Sequence, residues 1–387
     1  MKRKRILFII HSLTLGGLEN YLLRFCRYVR NKPEYHDLDI DVLCRSGQTG
    51  VLNGDFVELG IPVHPAKVGY FHPHHWYKLY WFMKKNRFDI VCDFNSHFAA
   101  VPLRIAKSLN IPRRVVFYRN ARDAFSYDFF RACYMSIQKR LLLNCATHIL
   151  SNSQNAFEYY YAKQHKSDHR FQVISNGIDF PLNQPLQLDT SELKASLGIP
   201  AHARIIGHVG NVKLSRYQKG SDQKNFPAIV AIAEKICKNR DDVYFLLCGN
   251  NVEHRVHELT NDENTLKHII TPGVRKDIFD ILGIIDIFLF PSLYEGQPNA
   301  LLEAMCMGVP FVASNVPSIK EHISNDYFDR LFAPQDIFGM SGMLEFLIDF
   351  PDSPEKKSLL AENMKKKCNP QTNFEKFLQV LLGVAQK

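Results

Sequence analysis

The chain has 387 residues, too many for one ordinary compact domain and enough for two. Hydrophobic residues make up 46% and charged residues 22%, with 20 Gly and 19 Pro, which excludes a disordered, collagen-like or low-complexity protein. The 48 Lys and Arg against 39 Asp and Glu leave a formal charge of +9, which favours polyanions, anionic headgroups or phosphorylated substrates without choosing among them.

The first residues, Met-Lys-Arg-Lys-Arg, precede a short apolar run, Ile6 to Ile10. That run is too short for a signal peptide and reads as a first buried strand. Strand-like runs follow at 39–44, 89–94, 114–118, 147–151 and 172–175, alternating with helix-like patterns at 19–29, 75–85, 98–109 and 124–145. Continuous apolar strands between amphipathic helices predict a parallel sheet covered on both faces. The Pro- and Leu-dotted stretch 183–200 reads as a connection. The alternation then restarts, with strands predicted at 204–208, 243–248, 268–270, 286–290 and 310–313, and helices at 225–238, 276–285 and 298–307. Three further helices, at 337–350, 353–367 and 372–385, close the chain.

The expected architecture is α/β, two doubly wound Rossmann-like domains facing across a cleft, with ligands at the carboxyl ends of the strands. The domains are placed at 1–182 and 201–370, with 371–387 a C-terminal helix crossing back to the first. Nine cysteines form no CxxC pair, and Cys92 and Cys248 sit inside strand-like runs. They read as reduced thiols of a cytosolic protein. No segment approaches the roughly 18 apolar residues of a membrane span.

The most informative stretch is Asp286 to Gly308. A buried strand ends at Pro291-Ser292, a loop carries Glu295-Gly296, Pro298 suits a helix start, and Gly308 suits its C-terminal cap. Glu295 and Glu303 can both face the cleft, where carboxylates accept forked hydrogen bonds from the vicinal hydroxyls of a sugar and a ribose. The N–H groups between Gly296 and Asn299 add an anion site.

This segment resembles the E-x7-E motif of GT-B glycosyltransferases of the family 4 type, with Glu295 and Glu303 at the motif's spacing. Four more stretches are similar to that family in the same order. Gly16-Gly17-Leu18-Glu19 resembles its first-loop G-G-x-E, and Asn176-Gly177-Ile178-Asp179 the N-G-I/V-D that closes its N-terminal domain. Gln223-Lys224-Asn225 resembles its Q-K-N/G, and Gly273-Val274-Arg275-Lys276-Asp277 the loop before its last nucleotide-site strands. The resemblance spans nearly the whole chain and points to the bacterial enzymes that build capsule, exopolysaccharide or O-antigen chains.

The resemblance implies a GT-B fold and a role for each matched residue. Glu295 would bind donor-sugar hydroxyls and orient the anomeric carbon, and Glu303 would bind the ribose. Lys224 would meet the departing diphosphate, the main chain near Arg275 the base, and Gly17 would let the first loop approach the phosphates. Gly296, Gln297, Pro298 and Asn299 would complete the donor site. His97, just past a first-domain strand, would contact the donor sugar near the reaction centre. The family retains anomeric configuration without a metal, which implies no cofactor and a UDP- or GDP-sugar as donor substrate. The implied partners are that donor, a glycan or lipid-linked glycan acceptor, and an anionic membrane surface on the cytoplasmic side, with no nucleic acid.

One departure stands out: the family's Arg directly after the glycine of the first strand of the second domain is Asn211 here, following Gly210. Arg216, in a loop with Lys213 and Lys219, either supplies that charge or belongs to a solvated loop. Other features carry less. His72, His74 and His75 imitate a metal cluster but read as an acceptor-side loop. Asp37, Asp39 and Asp41 imitate a DxD motif but enter a strand rather than end one. The basic and aromatic residues of 104–140 suit either an anionic membrane surface or a partly buried core. Two readings compete with a retaining glycosyltransferase. One is a GT-B protein that kept the fold in glycan assembly without catalysis. The other is an NAD-dependent oxidoreductase, against which the absence of G-x-G-x-x-G counts.

Overall fold

The computed structural model describes residues 3–14, 16–69, 72–119, 129–178, 189–212 and 222–383. The chain divides into two units, Met1–Gly177 with Pro370–Lys387, and Ile178–Asn369.

In the first unit the apolar runs become β1 (Lys4–Ile10), β2 (Leu38–Cys44), β3 (Val63–Pro65), β4 (Ile90–Asp93), β5 (Arg113–Tyr118), β6 (His148–Ser151) and β7 (Phe171–Val173). All pair in parallel, in the order β3-β2-β1-β4-β5-β6-β7. Side chains alternate across the sheet, so β1 sends Phe8 and Ile10 to one face and Leu7 and Ile9 to the other. The first face is covered by the helix Gly17–Arg30 and the C-terminal helix Pro370–Leu382, whose Phe25 and Phe377 rings lie 4.8 Å apart. The second is covered by Pro73–Asn86, Ala100–Ser108 and Phe129–Cys145, through Leu79, Met83, Leu103 and Leu142.

The second unit holds β8 (Arg204–Val209), β9 (Val243–Cys248), β10 (Ile269–Ile270), β11 (Ile287–Phe290), β12 (Phe311–Ser314) and β13 (Leu331–Phe332). These are again parallel, in the order β10-β9-β8-β11-β12-β13. Phe288 and Phe290 pack to one face, Ile287 and Leu289 to the other. The stretch expected as a bare connection contains a helix, Thr190–Ser196, capped by Asp189, and its Leu193 joins this unit's core.

Each sheet reverses strand order beside its first strand, between β1 and β4 and between β8 and β11. Loops leaving the carboxyl ends there diverge and open a place for a ligand. In the second unit Phe288 pairs with Gly207, so Gly210 and Pro291 leave the sheet side by side.

Candidate active site

The second unit brings its predicted residues together. Asn225 takes the left-handed conformation (φ 60°) before the helix Phe226–Cys237, and its side-chain amide donates to Pro291 O (3.1 Å) and Pro334 O (2.8 Å). That anchors Gln223-Lys224-Asn225 against the loop after β11. Lys224 Nζ then donates to Glu295 Oε1 at 2.8 Å and stands 4.6 Å over the Phe290 ring. Gln223 Nε2 donates to Tyr294 O (3.1 Å) and Glu295 Oε2 (3.3 Å), and Gln223 O accepts from Leu293 N (2.9 Å). Both oxygens of a buried carboxylate are thus held by charged or polar donors.

Glycine is required at the floor of this site. A Cβ at Gly210 would lie 2.7 Å from His208 Nε2 and 3.0 Å from Lys224 Cγ, so only a bare Cα lets the lysine stem pass. Gly249 has φ +153°, and a Cβ there would lie 2.1 Å from Gly210 O. Gly249 N in turn donates to Gly273 O at 2.9 Å, which ties in the loop carrying Arg275. Arg275 itself is committed to Asp277, which receives both Nε (2.8 Å) and Nη2. That guanidinium holds the Asp277 carboxyl below its usual range.

His208 escaped the sequence reading, and its one signal is a polar residue inside the apolar run of β8. It is fully buried, with Nδ1 2.9 Å from Leu289 O. A carbonyl only accepts, so Nδ1 carries the proton and Nε2, without a hydrogen-bond partner, is the bare nitrogen facing Gly210. Burial, reinforced by the Lys224 charge, pushes the imidazole down to about 3.

After Glu295 the chain passes Gly296 and the buried Gln297 to the helix Asn299–Cys306. Pro298 precedes that helix rather than opening it; its carbonyl accepts from Leu302 N (3.0 Å). Glu303 lies one turn in, partly buried, and Gly308 follows the helix at φ +76°. Asn211 braces the turn after β9, its Oδ1 accepting from Asn250 N at 2.8 Å. Lys213, Arg216 and Lys219 lie outside the described residues.

In the first unit Gly17 opens its helix and is exposed, with Gly16 as the extended N-cap. His97 sits in a 3-10 turn, Ser96–Ala99, just past β4, and is fully buried. Its Nδ1 is 3.3 Å from the Tyr118 hydroxyl, which is 2.7 Å from that of Tyr161. Asp93 braces the turn, its Oδ1 accepting from Asn95 N and Nδ2 (both 2.8 Å). Burial raises the Asp93 carboxyl, against the opposing charge of Arg45.

The weaker sequence signals resolve into structure. Asp39 pairs with Arg3 (2.7 Å), and the buried Asp41 pairs with Arg5 (3.2 Å) and His64 (2.8 Å). Within 104–140, Arg114 donates to Cys145 O, Arg113 bonds His148, and Phe117 and Tyr118 are core; Arg122, Phe125 and Tyr127 lie outside the described residues. The His72, His74 and His75 rings stand 4.0–5.8 Å apart at the start of a helix rather than in a loop. Among the described residues no group of His, Cys, Asp and Glu is arranged to hold a metal ion, and no helix is long and apolar enough to cross a membrane.

Two parallel Rossmann-like sheets, the second with a Gln-Lys-Asn turn clamped to a Glu-Gly loop at its strand-order reversal, define an α/β protein with a polar site where such folds hold a ligand. Comparison with known proteins agrees. The family model described as Glycosyltransferase Family 4 matches residues 15–180, and that described as Glycosyl transferases group 1 matches 203–349. A putative glycosyltransferase, EpsF, of Bacillus subtilis is 25% identical over 83% of this chain and 81% of its own. An Escherichia coli UDP-Gal:alpha-D-GlcNAc-diphosphoundecaprenol alpha-1,3-galactosyltransferase is 25% identical over 67% of this chain and 66% of its own. The crystal structure of HepE from Anabaena in complex with UDP-glucose shares the fold, with a TM-score of 0.74, 19% identity, and coverage of 98% of this chain and 100% of that one. The chain belongs to the GT-B glycosyltransferases of the family 4 type. That membership displaces the oxidoreductase reading.

Proposed function

We propose that this glycosyltransferase is retaining and metal-independent, and moves a hexose or N-acetylhexosamine from a UDP- or GDP-sugar to a growing, lipid-linked surface polysaccharide. The observation that carries the reading is the clamp of Lys224 and Gln223 on Glu295, at the strand-order reversal of the second unit. The relatives support the substrates: one acts from UDP-Gal on a diphosphoundecaprenol-linked sugar, and HepE binds UDP-glucose.

In this reading Glu295 holds the donor-sugar hydroxyls and Glu303 the ribose. Departure of the nucleoside diphosphate develops negative charge, which Lys224 and the N–H groups of Gly296 and Gln297 meet by preorganised electrostatics, without a metal; Pro298 has no N–H, and that of Asn299 is given to Gln297 O (2.9 Å). Arg275's main chain borders the base, and Gly17 and the segment Gln297-Pro298 complete the donor contacts. His97 is the first-unit residue assigned to the reaction centre, its ring set by the Tyr118–Tyr161 hydroxyl pair. The enzyme then works on the cytoplasmic side, at the membrane that carries its acceptor.

The test incubates the protein with UDP- and GDP-sugars and a lipid-diphosphate-linked glycan in the presence of a chelator. The product linkage is then read by NMR. Transfer with the donor's α-configuration kept supports the reading; inversion, or dependence on added divalent metal, sinks it. One observation favours a catalytically altered protein instead: Asn211 stands where the family has Arg, and its Oδ1 accepts from Asn250 N. Donor binding without any transfer would select that second reading.

A further inference from the structure

The helix Pro73–Asn86 presents one exposed face built from His74, Tyr77, Lys78, Trp81, Lys84 and Lys85, at spacings of three, four, seven, ten and eleven residues. Its opposite side is anchored in the core through Leu79 and Met83. Tyr77 is 65% and Trp81 47% exposed, which is unusual for large aromatics, and their rings lie 6.1 Å apart. Lys84 Nζ stands 4.7 Å over the Trp81 ring. Between Glu58 and Asp89 the sequence holds no acid, while Lys67, Lys78, Lys84, Lys85 and Arg87 are basic.

Beside this face is a cavity of about 340 Å³ with an apolar floor that includes Leu43, Val68, Leu79 and Phe82. Lys67, Lys78 and His75 also line it. Its wall is pinned to the helix: Gly69 N donates to His75 Nδ1 (3.1 Å) and Trp76 Nε1 to Gly69 O (2.9 Å).

From these two features we propose that the face of Pro73–Asn86 docks on an anionic phospholipid surface, with a headgroup phosphate between Lys67 and Lys78 and apolar lipid against the cavity floor. Tyr and Trp suit the boundary between headgroups and acyl chains, and lysines flanking them suit its negative potential. An acid-free stretch is what charge complementarity to such a surface requires. This deepens the lipid-linked acceptor reading by naming the surface that meets the membrane, and it places that surface on a helix other than those of 104–140.

The experiment is co-sedimentation of the full chain with phosphatidylcholine vesicles, pure or with about one-third phosphatidylglycerol. No sugar nucleotide is present. Binding is expected only to the anionic vesicles and should weaken with salt. Combining Lys78→Glu, Lys84→Glu and Lys85→Glu should lower the partition coefficient about a hundredfold. Tyr77→Ser with Trp81→Ser, which leaves the charge unchanged, should lower it about tenfold. The charge-matched control Arg104→Glu, Lys163→Glu and Lys166→Glu should stay near wild type. No wild-type binding, or an equal loss in the control, overturns the proposal. So does self-association that the Tyr77/Trp81 variant abolishes while vesicle binding persists. Thermal unfolding and sugar-nucleotide binding of the same preparations are measured separately, so a failed donor reading is distinguishable from a failed docking face.

Discussion

The two strand-order reversals of this protein carry their polar residues differently. In the second unit, charged and amide side chains from distant segments converge, and Lys224 and Glu295 form a mostly buried ion pair whose partners are 71 residues apart. In the first unit the corresponding turn holds a fully buried His97 packed against the rings of Tyr118 and Tyr160. In the proposed reading, the ion pair lies where the diphosphate is met, and the aromatic packing lies where the acceptor is shaped. Substitutions in the second unit should therefore act through electrostatics and those in the first through positioning.

The sharpest way to break that contrast is Lys224→Ala. It strands a buried carboxylate and should destabilise the second unit by about 3 kcal/mol, and it should lower transfer at least about a hundredfold. Denaturant unfolding and turnover measure the two. The double variant Lys224→Met, Glu295→Gln should regain stability but not turnover. If the double variant regained turnover, the clamp would be structural only.

Gly210→Ala comes next. Its methyl would press on His208 and on the lysine stem, for about 2 kcal/mol of destabilisation. Donor affinity should fall with it, read by calorimetry.

The third effect is a pH dependence from His208. Its folded pKa is lowered to about 3 from 6.5, so between those values the unfolded chain binds the extra proton. Stability is thus fully present above pH 6.5 and lost as pH falls through the window, by at most about 1.4 kcal/mol per pH unit. Burial also pushes the His148 and His322 imidazoles down to about 4, so unfolding free energies measured from pH 7 to 4 should fall with the combined slope, and His208→Phe should reduce that slope without abolishing it. An unchanged slope in that variant would assign the effect elsewhere.

Smallest is Tyr118→Phe, which removes a hydroxyl shared by His97 and Tyr161. It should cost about 1 kcal/mol of stability and lower kcat while leaving donor affinity unchanged. A change in donor affinity of the same size would contradict the division of labour between the units.

Much of this architecture is legible in the sequence because backbone constraints leave local marks. The long apolar strands, the Pro-Ser-to-Gly308 loop and helix, and the C-terminal helix all stand close to where patterning puts them. The edge strands β3 and β13 do not show, since Val63-His64-Pro65 is broken by His and Pro and Leu331-Phe332 is hemmed by Arg330 and Pro334, whereas the equally short β7 and β10 overlap predicted strand-like runs. Nor does the helix Thr190–Ser196, whose seven residues are too few to display an apolar face within a Pro-dotted stretch. Within the site, Glu295 and Lys224 are each identifiable, but their pairing depends on β8 and β11 being neighbours. His208 becomes meaningful only once Leu289 O and Gly210 are seen around it. Basic and aromatic residues are dense in 104–140, which draws a membrane-facing reading to that stretch. Composition cannot show that Phe117 and Tyr118 face the core while Tyr77 and Trp81 face outward.

The most direct test of the central claim is thermal-shift binding against UDP-, GDP-, ADP- and CMP-sugars without added metal, for the wild type and Glu303→Ala. One nucleotide class at 100 times its dissociation constant should stabilise the wild type by ~2.7 kcal/mol and leave Glu303→Ala, folded, unshifted. No shift with any of the four, or an undiminished shift in Glu303→Ala, would contradict a sugar-nucleotide site at this loop and helix.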